Sequence, residues 1–360
     1  MTKVKAIGKT IGLIILGIVV VLALVGGTFF IWLRSDAPEV TECDADHRLF
    51  EHAFGISCVP NQPQNVLSYG TAPTQFLVAI GFPMAMTEAG LDEWTSADIP
   101  GLYERLREVN KDSPDFGRLG GTVASNVEIV LQIQPDLIIS EWLESEDLAR
   151  TASLIAPAVL LIEDGRTNWK EITLNAGDVI GEKEQAEALI ADYEKRVEIL
   201  RQQFDDPADI TVSAVRLWPD NYWIMLEESF SQQIVKDVGF SSPEAQAELT
   251  PQATFNRRQI QYNEERPELL DADHIILFPA TGNTGLADVD SDKITLTQEF
   301  QEEPLFQFLG AVQNGNVYPV DVHWNVTGIY SAHAILDDLF IHVAGVDPEE
   351  VAPNPLKLSD

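Results

Sequence analysis

The side chains that most often perform catalysis are scattered along this chain of 360 residues. No histidine belongs to an H-E-x-x-H zinc motif, and no serine lies in a G-x-S-x-G turn. His333 and Asp337 are four residues apart on a predicted helix, a spacing that indicates a surface pair rather than a catalytic dyad. The histidines are His47, His52, His274, His323, His333 and His342. The pattern argues against an enzyme and predicts no cofactor.

Direct metal binding also lacks support, because no cluster of histidine and carboxylate ligands is evident in the sequence. The segment DVDSDKITLTQE does place Asp288, Asp290, Asp292 and Glu299 at the acidic positions of an EF-hand calcium loop. However, Lys293 stands where that loop requires glycine, and no predicted helix precedes the segment. We therefore expect an acidic loop and no direct metal site.

Short apolar strands alternate with helices in both halves of the chain. Gln64–Gly70 is typical of a strand that ends at a polar, aromatic loop, and Ala72–Gly81 is typical of a helix. A helical period then runs through residues 182–204, well beyond the mean helix length of about 11–12 residues. The pattern predicts an α/β fold with two doubly wound lobes joined by a single long interdomain helix.

The predicted divisions are a cytoplasmic tail (1–9), a transmembrane anchor (10–33), a linker with a lead-in segment (34–62), an N-terminal α/β lobe (63–168), a bridging helical segment (169–205), a C-terminal α/β lobe (206–352) and a tail (353–360).

Residues 10–33 carry no charge. At about 1.5 Å per residue they are long enough for a bilayer core of roughly 30 Å. Lys3, Lys5 and Lys9 precede them, which predicts that the N-terminus is cytoplasmic and the bulk of the chain extracytoplasmic. The alternative is a cleaved signal peptide. The run exceeds the apolar region of about 7–15 residues in such peptides, so we favour an uncleaved anchor.

The formal net charge of −34 disfavours binding to nucleic acid or to anionic lipid. Cys43 and Cys58 are the two cysteines, and both are extracytoplasmic in the predicted orientation. An oxidising compartment favours a disulfide between them, and two free thiols are the alternative.

Four segments, taken in order, resemble the substrate-binding proteins of ABC importers that capture ferric siderophores and vitamin B12. They are HAFGISCVPNQPQNVLSYG, GTVASNVEIVLQIQPDLIIS, LLDADHIILF and FLGAVQNGNVYPVDVHW. The resemblance extends over about 49–346 and carries the same fold, two α/β lobes bridged by one long helix.

The resemblance implies a monomeric, membrane-anchored, extracytoplasmic protein that captures a ferric siderophore between its lobes. The iron is held by the chelate, and delivery is to an ABC permease and its ATPase subunits. The alternatives are cobalamin or haem bound in the same fold, or an anchored sensor or structural protein without transport.

A ferric chelate held at strand ends would suit aromatic walls and guanidinium donors. Arg216 resembles an arginine that ends a strand in siderophore binders and faces the ligand. An ordinary structural pairing is the alternative for Arg216. Arg257 and Arg258 form a basic pair that would meet an anionic chelate or lie in solvent. The predicted ligand contacts are Arg216, Trp324, Tyr69, Trp142, Trp218, Tyr222 and Arg257. For each aromatic residue, an ordinary core or surface position is the alternative.

The resemblance also implies one glutamate on each lobe that docks into arginine pockets of the permease. Glu128 matches the first, and Glu265 matches the second, with Glu264 adjacent and able to substitute. An ordinary solvated glutamate is the alternative for Glu265. From the residues alone, Ser125 and Glu128 also fit a capping box, with Ser125 at the N-cap of a helix. The two roles of Glu128 are compatible.

Overall fold

The computed structural model describes residues 41–87, 99–112, 126–141, 146–162, 168–218, 221–249, 258–262, 266–279 and 289–357. The transmembrane segment predicted at 10–33 lies outside them. Within these ranges, no helix combines the length and the apolar character that a bilayer crossing requires. The fold belongs to the unit Glu42–Asp360.

A disulfide-bonded hairpin precedes the first lobe. β1 (His47–His52) pairs antiparallel with β2 (Gly55–Pro60), and Cys58 on β2 forms the predicted disulfide with Cys43. Arg48 donates hydrogen bonds to the carbonyl oxygens of Asp178 and Val179. These carbonyls lie near a helix C-terminus, where the last carbonyl groups lack partners within the helix. These hydrogen bonds hold the hairpin against the C-terminal end of that helix.

The first sheet is entirely parallel. Its strands are β3 (Val66–Tyr69), β4 (Met84–Thr87), β5 (Leu137–Ser140) and β6 (Ala158–Leu160), in the order β4-β3-β5-β6. The helices of this region are α1 (Thr71–Ala79), α2 (Leu102–Val109), α3 (Val127–Ile133) and α4 (Glu146–Ser153). β3 and β5 are buried throughout, as expected for central strands of a parallel sheet. The Asp136 carboxylate accepts hydrogen bonds from the backbone of Gln64 (2.7 Å) and Asn65 (3.0 Å), which fixes the chain just before β3.

Two helices, rather than one, make up the bridging segment. α5 (Trp169–Ile180) ends at Gly181, whose φ of 85° suits glycine, and α6 (Lys183–Arg201) follows at once. The long helix predicted for 182–204 corresponds to α6. A Cβ on Gly177 would lie 2.5 Å from Cβ of Ala186, so α5 and α6 pack too closely for a larger side chain.

The second sheet is mixed, where the sequence predicted parallel strands. It contains β7 (Val212–Trp218), β8 (Asn221–Met225), β9 (Gln259–Gln261), β10 (His274–Pro279) and β11 (Val317–Pro319), in the order β11-β10-β7-β8-β9. The helices are α7 (Phe230–Val238), α8 (Glu244–Ala247), α9 (Val289–Glu302), α10 (Gly310–Asn314), α11 (Ile329–Leu339) and α12 (Pro348–Val351). β8 is antiparallel to β7 and β9 because only two residues separate β7 from β8, too few for a crossover.

One continuous group of buried apolar side chains extends through both lobes. It includes Val66 and Phe76 from the first lobe and Ala214, Trp324 and Ile329 from the second. α11 packs against α1 of the first lobe and against α6. The two sheets are therefore joined by a shared core as well as by the connecting chain.

A buried charge cluster ties α6 to α11 and to the C-terminal segment. Arg196 is 4% exposed, forms a salt bridge with Asp337, and donates to the carbonyl oxygen of Ala352 at 2.9 Å. Its Nη1 lies 3.0 Å from Nδ1 of His333, and Asn354 donates to Asp337. The prediction of a surface pair for His333 and Asp337 is wrong, because α6 covers this face of α11 and leaves His333 0% exposed.

The buried imidazole of His333 predicts a specific loss of stability in acid. Burial, together with the positive charge of Arg196, lowers the pKa of His333 from 6.5 to about 3. Between these values the unfolded chain binds the extra proton, so the free energy of unfolding falls by about 1.4 kcal/mol per pH unit below 6.5. Urea unfolding at about pH 7.5 and 5.5 should show this contribution in the wild type and lose it in His333→Asn, whose amide oxygen can still accept from Arg196.

His342→Asn is the control for this prediction, because His342 lies close to α11 but is only partly buried. It should retain the wild-type pH dependence. An equal pH dependence in wild type and His333→Asn would contradict the assignment to His333.

Candidate ligand-binding site

Arg216 and Trp218 project from the same face of β7, near the end of the strand. Strand residues two apart share a face, and both side chains are partly exposed while Leu217 between them is buried. The guanidinium carbon of Arg216 lies 5.2 Å from the ring centroid of Trp218, within cation–π range. Nη1 of Arg216 donates to the amide oxygen of Asn325 at 3.2 Å. Burial lowers the pKa of Arg216.

Trp223, which was not among the residues predicted from the sequence, completes this face from β8. The antiparallel register pairs Arg216 with Trp223, and directly paired residues place their side chains on the same face. Trp223 is partly exposed. The sequence did contain the information needed to predict this position. A two-residue connection between β7 and β8 fixes the register of the hairpin, and this register places Trp223, rather than Tyr222, opposite Arg216.

Two polar atoms of this cluster lack hydrogen-bond partners within the part of the chain that is described. They are Nε of Arg216 and Nε1 of Trp218, and both are buried. A buried donor without an acceptor costs about 1–3 kcal/mol. The partly exposed side chain of Arg216 also carries further N–H donors that a ligand with oxygen acceptors could engage. The face therefore combines two indole planes with unsatisfied donors, the composition expected of a site for an oxygen-rich, partly apolar ligand.

The structure does not bring the other three described candidates to this face. Trp324 is 0% exposed, donates from Nε1 to Asp338 at 2.7 Å, and belongs to the shared core. Tyr222 faces the opposite side of the sheet and contacts Phe300 and Phe306. Tyr69 lies in a small core under α3 and α4 and is 7% exposed. In all three, the aromatic ring is used for packing.

Trp142 and Arg257 lie outside the described residues, but Arg258 is described. Burial lowers the pKa of Arg258, while the carboxylates of Glu141 and Glu228 raise it. Glu141 follows β5 of the first lobe, and Arg258 precedes β9 of the second. Their electrostatic interaction therefore connects the two lobes.

The N-terminus of α1, a natural anion site, is already occupied by the protein itself. The buried Glu141 carboxylate accepts hydrogen bonds from the backbone of Thr71 (3.0 Å) and Ala72 (2.9 Å). Gly70 leaves the room for it, since a Cβ there would lie 2.2 Å from Cγ of Glu141. The first lobe consequently offers no free helix N-terminus at α1 to an anionic ligand, whereas the cationic groups of Arg216 and Arg258 belong to the second lobe.

No group of three or more histidine, cysteine or carboxylate side chains among the described residues is arranged to hold a metal ion. The prediction of an acidic loop in the segment that resembles a calcium loop is wrong, because α9 spans Val289–Glu302.

A sequence profile described as a periplasmic binding protein matches residues 66–322. The chain belongs to the periplasmic binding protein family. The family predicted from the sequence is thereby confirmed. Members of the family bind substrates without converting them, so this periplasmic binding protein is not an enzyme, and it acts outside the cytoplasm.

This periplasmic binding protein is 28% identical over 300 residues to the "Probable siderophore-binding lipoprotein YfiY" of Bacillus subtilis, covering 81% of this chain and 86% of that protein. It is 25% identical over 294 residues to the ferric enterobactin-binding periplasmic protein FepB of Escherichia coli, covering 79% and 87%. The crystal structure of Staphylococcus aureus SirA complexed with staphyloferrin B matches with a TM-score of 0.69 and 22% identity, over 82% of this chain and 98% of that one. The structural similarity shows a common fold with two α/β lobes.

Glu128 of this periplasmic binding protein is exposed in the first turn of α3. The predicted capping box is wrong, because Asn126, not Ser125, is at the N-cap, and Glu128 therefore lies one position too early to close the box. Ile129 and Leu131 beside it are 40% and 53% exposed. Glu264 and Glu265 lie outside the described residues.

Proposed function

We propose that this chain is the substrate-binding component of an ABC importer that captures a ferric siderophore and delivers it to the permease. The iron is held by the chelate, so the protein needs no metal ligand or cofactor of its own. The lobes are 63–168 and 206–352, and the protein is a monomer attached to the extracytoplasmic face of the membrane through 10–33.

The single observation that carries this proposal is the face formed by Arg216, Trp218 and Trp223. Ferric chelates present oxygen atoms around the metal and apolar or aromatic arms outside it. A guanidinium group donates to oxygen acceptors with strong directionality, and indole planes pack against the arms. The names of the relatives support the ligand class, since one is described as siderophore-binding and another as ferric enterobactin-binding.

The proposed ligand contacts are Arg216, Trp218 and Trp223, with Asn325 orienting the guanidinium. Trp142 and Arg257 remain in the proposal from the sequence, and Arg258 joins them because its charge interacts with Glu141 of the first lobe. Tyr69, Tyr222 and Trp324 are left out, since their rings are packed in cores.

Tryptophan fluorescence of the purified protein tests this function, because Trp218 and Trp223 would lie against the ligand. The protein is titrated with ferric hydroxamate, catecholate and citrate-type siderophores, and with cobalamin and haem. Saturable quenching by one ferric class is the expected result. Quenching by cobalamin or haem alone would overturn the siderophore assignment. No response to any of them would instead favour an anchored sensor or structural protein.

If Glu128 docks to the permease, its replacement should impair siderophore transport and leave siderophore binding unchanged. Glu128→Ala is expected to reduce siderophore uptake several-fold, because it removes an exposed carboxylate that pairs with arginine on the permease. Affinity for the siderophore should not change, since α3 is separate from the Arg216 face. Uptake by cells and affinity of the purified protein are both measured.

Glu104→Ala is the control for docking, since Glu104 is an exposed glutamate on α2. It should leave uptake at the wild-type level. Glu265→Ala should reproduce the Glu128 defect, and the double variant should be more severe. Normal uptake by that double variant would rule out docking through these two carboxylates.

A further inference from the structure

Gln75 crosses from one lobe to the other and holds the start of a helix there. It lies on α1, and its amide oxygen accepts from the backbone of Ser331 at 3.1 Å, in the first turn of α11. Its amide nitrogen donates to Oγ of Ser331 at 3.0 Å and to the carbonyl oxygen of Thr327 at 3.3 Å. Gln75 is 0% exposed.

The backbone of the second lobe is shaped to admit this amide. Gly328 has a φ of 150°, and a Cβ there would lie 2.4 Å from Cδ of Gln75 and 2.5 Å from its oxygen. Any larger residue would displace the Gln75 side chain. The glycine immediately before α11 thus provides both the backbone conformation and the space that the contact needs.

Separation of the lobes at this point would leave polar groups without partners. The first N–H groups of a helix have no acceptor within the helix. Here the side chain of Gln75, from the other lobe, supplies the acceptor for one of them, the N–H group of Ser331. A buried polar group that loses its partner is destabilising, so the contact resists opening of the lobes.

The contact is linked to the candidate site through a short stretch of chain. Asn325, which accepts from Arg216, precedes Thr327 by two residues, and Gly328 follows. On the other side, Thr74 next to Gln75 donates to the carbonyl oxygen of Gly70 and lies 2.8 Å from Oγ of Ser68 on β3. The position of Gln75 is thus fixed to the first sheet, and its partners are fixed to the Arg216 face.

We propose that Gln75 is a positioning residue that sets the separation of the two lobes and so the distance between the Arg216 face and the first lobe. The consequence for ligand release rests on the proposed function, but the control of lobe separation does not. A ligand held between the lobes contacts both of them, so a wider or looser separation weakens these contacts and raises the rate of dissociation.

Gln75→Met tests the proposal, because methionine has nearly the same length and lacks all three hydrogen bonds. Spin labels at Glu104→Cys on α2 and at Glu248→Cys after α8 report the lobe separation in the full chain; both positions are exposed. Without ligand, we expect the distribution of distances between the labels to be broader and its mean to be longer. We also expect siderophore dissociation to be faster by roughly tenfold, which corresponds to the loss of one hydrogen bond whose net free energy is near the upper end of the usual range.

Gln246→Met is the matched control. Gln246 is also a buried glutamine, but it donates to Ser213 and Leu269 within the second lobe. It should lower the melting temperature without changing the inter-lobe distance or the dissociation rate. A distance distribution in Gln75→Met that equals that of Gln246→Met would overturn the proposal.

Ser331→Ala is the milder variant if Gln75→Met does not fold, since it removes only the bond to Oγ of Ser331. It should shift the distance distribution in the same direction by a smaller amount, and an unchanged distribution would contradict the proposal. Because the distances are measured without ligand, failure of siderophore binding and failure of the positioning role give different results.

Discussion

Replacing Arg216 with glutamine is expected to weaken siderophore binding by about 10- to 100-fold, which corresponds to the loss of one or two hydrogen bonds from a charged donor. The guanidinium lies beside Trp218 and pairs across the hairpin with Trp223, so no other described cation replaces it on this face. Glutamine retains a donor that can reach Asn325 but removes the charge. Isothermal titration with the siderophore identified by fluorescence measures the change.

Arg107→Gln is the matched control, because Arg107 is an exposed arginine on α2. It should bind with the wild-type affinity. A second comparison uses Trp223→Leu and Tyr222→Leu, which are neighbours in sequence and face opposite sides of the sheet. Only Trp223→Leu should weaken binding directly. Wild-type affinity in Arg216→Gln would show that the ligand binds elsewhere and would overturn the assignment of this face.

Replacing Arg196 with methionine is expected to lower the free energy of unfolding by about 3–5 kcal/mol. The substitution leaves the Asp337 carboxylate, which is 17% exposed, without its charged partner, and removes the donor to Ala352. Removing one member of a buried pair is far more damaging than removing both, because the remaining charge stays buried without compensation. Urea unfolding at neutral pH measures the loss, and the Arg196→Met, Asp337→Leu double variant should recover part of it.

Arg266→Met is the corresponding surface control, since the pair of Arg266 and Glu268 is 41% and 52% exposed. Arg266→Met should lower the free energy of unfolding by less than about 1 kcal/mol. Similar losses in the two arginine variants would show that the Arg196 cluster behaves as a solvated pair, contrary to the burial described above.

Short apolar runs in the sequence predicted the buried strands, because a strand covered on both faces requires apolar residues at successive positions. The apolar runs that became β5 and β10 each follow an aspartate, and both aspartates accept backbone hydrogen bonds from the segment before the neighbouring strand. In both lobes, the aspartate before one strand (Asp136 or Asp273) therefore fixes the chain just before the neighbouring strand. The direction of β8 could also have been read from its two-residue connection.

The site was harder to predict, because an aromatic residue near a strand end can face the ligand or the core. Trp324 and Trp223 look alike in the sequence, and only the sheet register and the position of Asp338 separate them. His333 and Asp337 were misplaced for a related reason: their spacing shows that they share a helix face, but not that α6 covers it. Arg196, which lies 137 residues from His333, carried no local signal.

The shared core has a consequence for how the chain matures. Val66 and Phe76 are made early in synthesis, yet the same apolar group includes Trp324 and Ile329, near the C-terminus. The first lobe cannot finish packing until the last helices have crossed the membrane. A chain held partway through export would expose apolar surface on its first lobe, which is the state that chaperones and proteases recognise. Truncation before α11 should therefore yield an aggregating or degraded product rather than an isolated lobe.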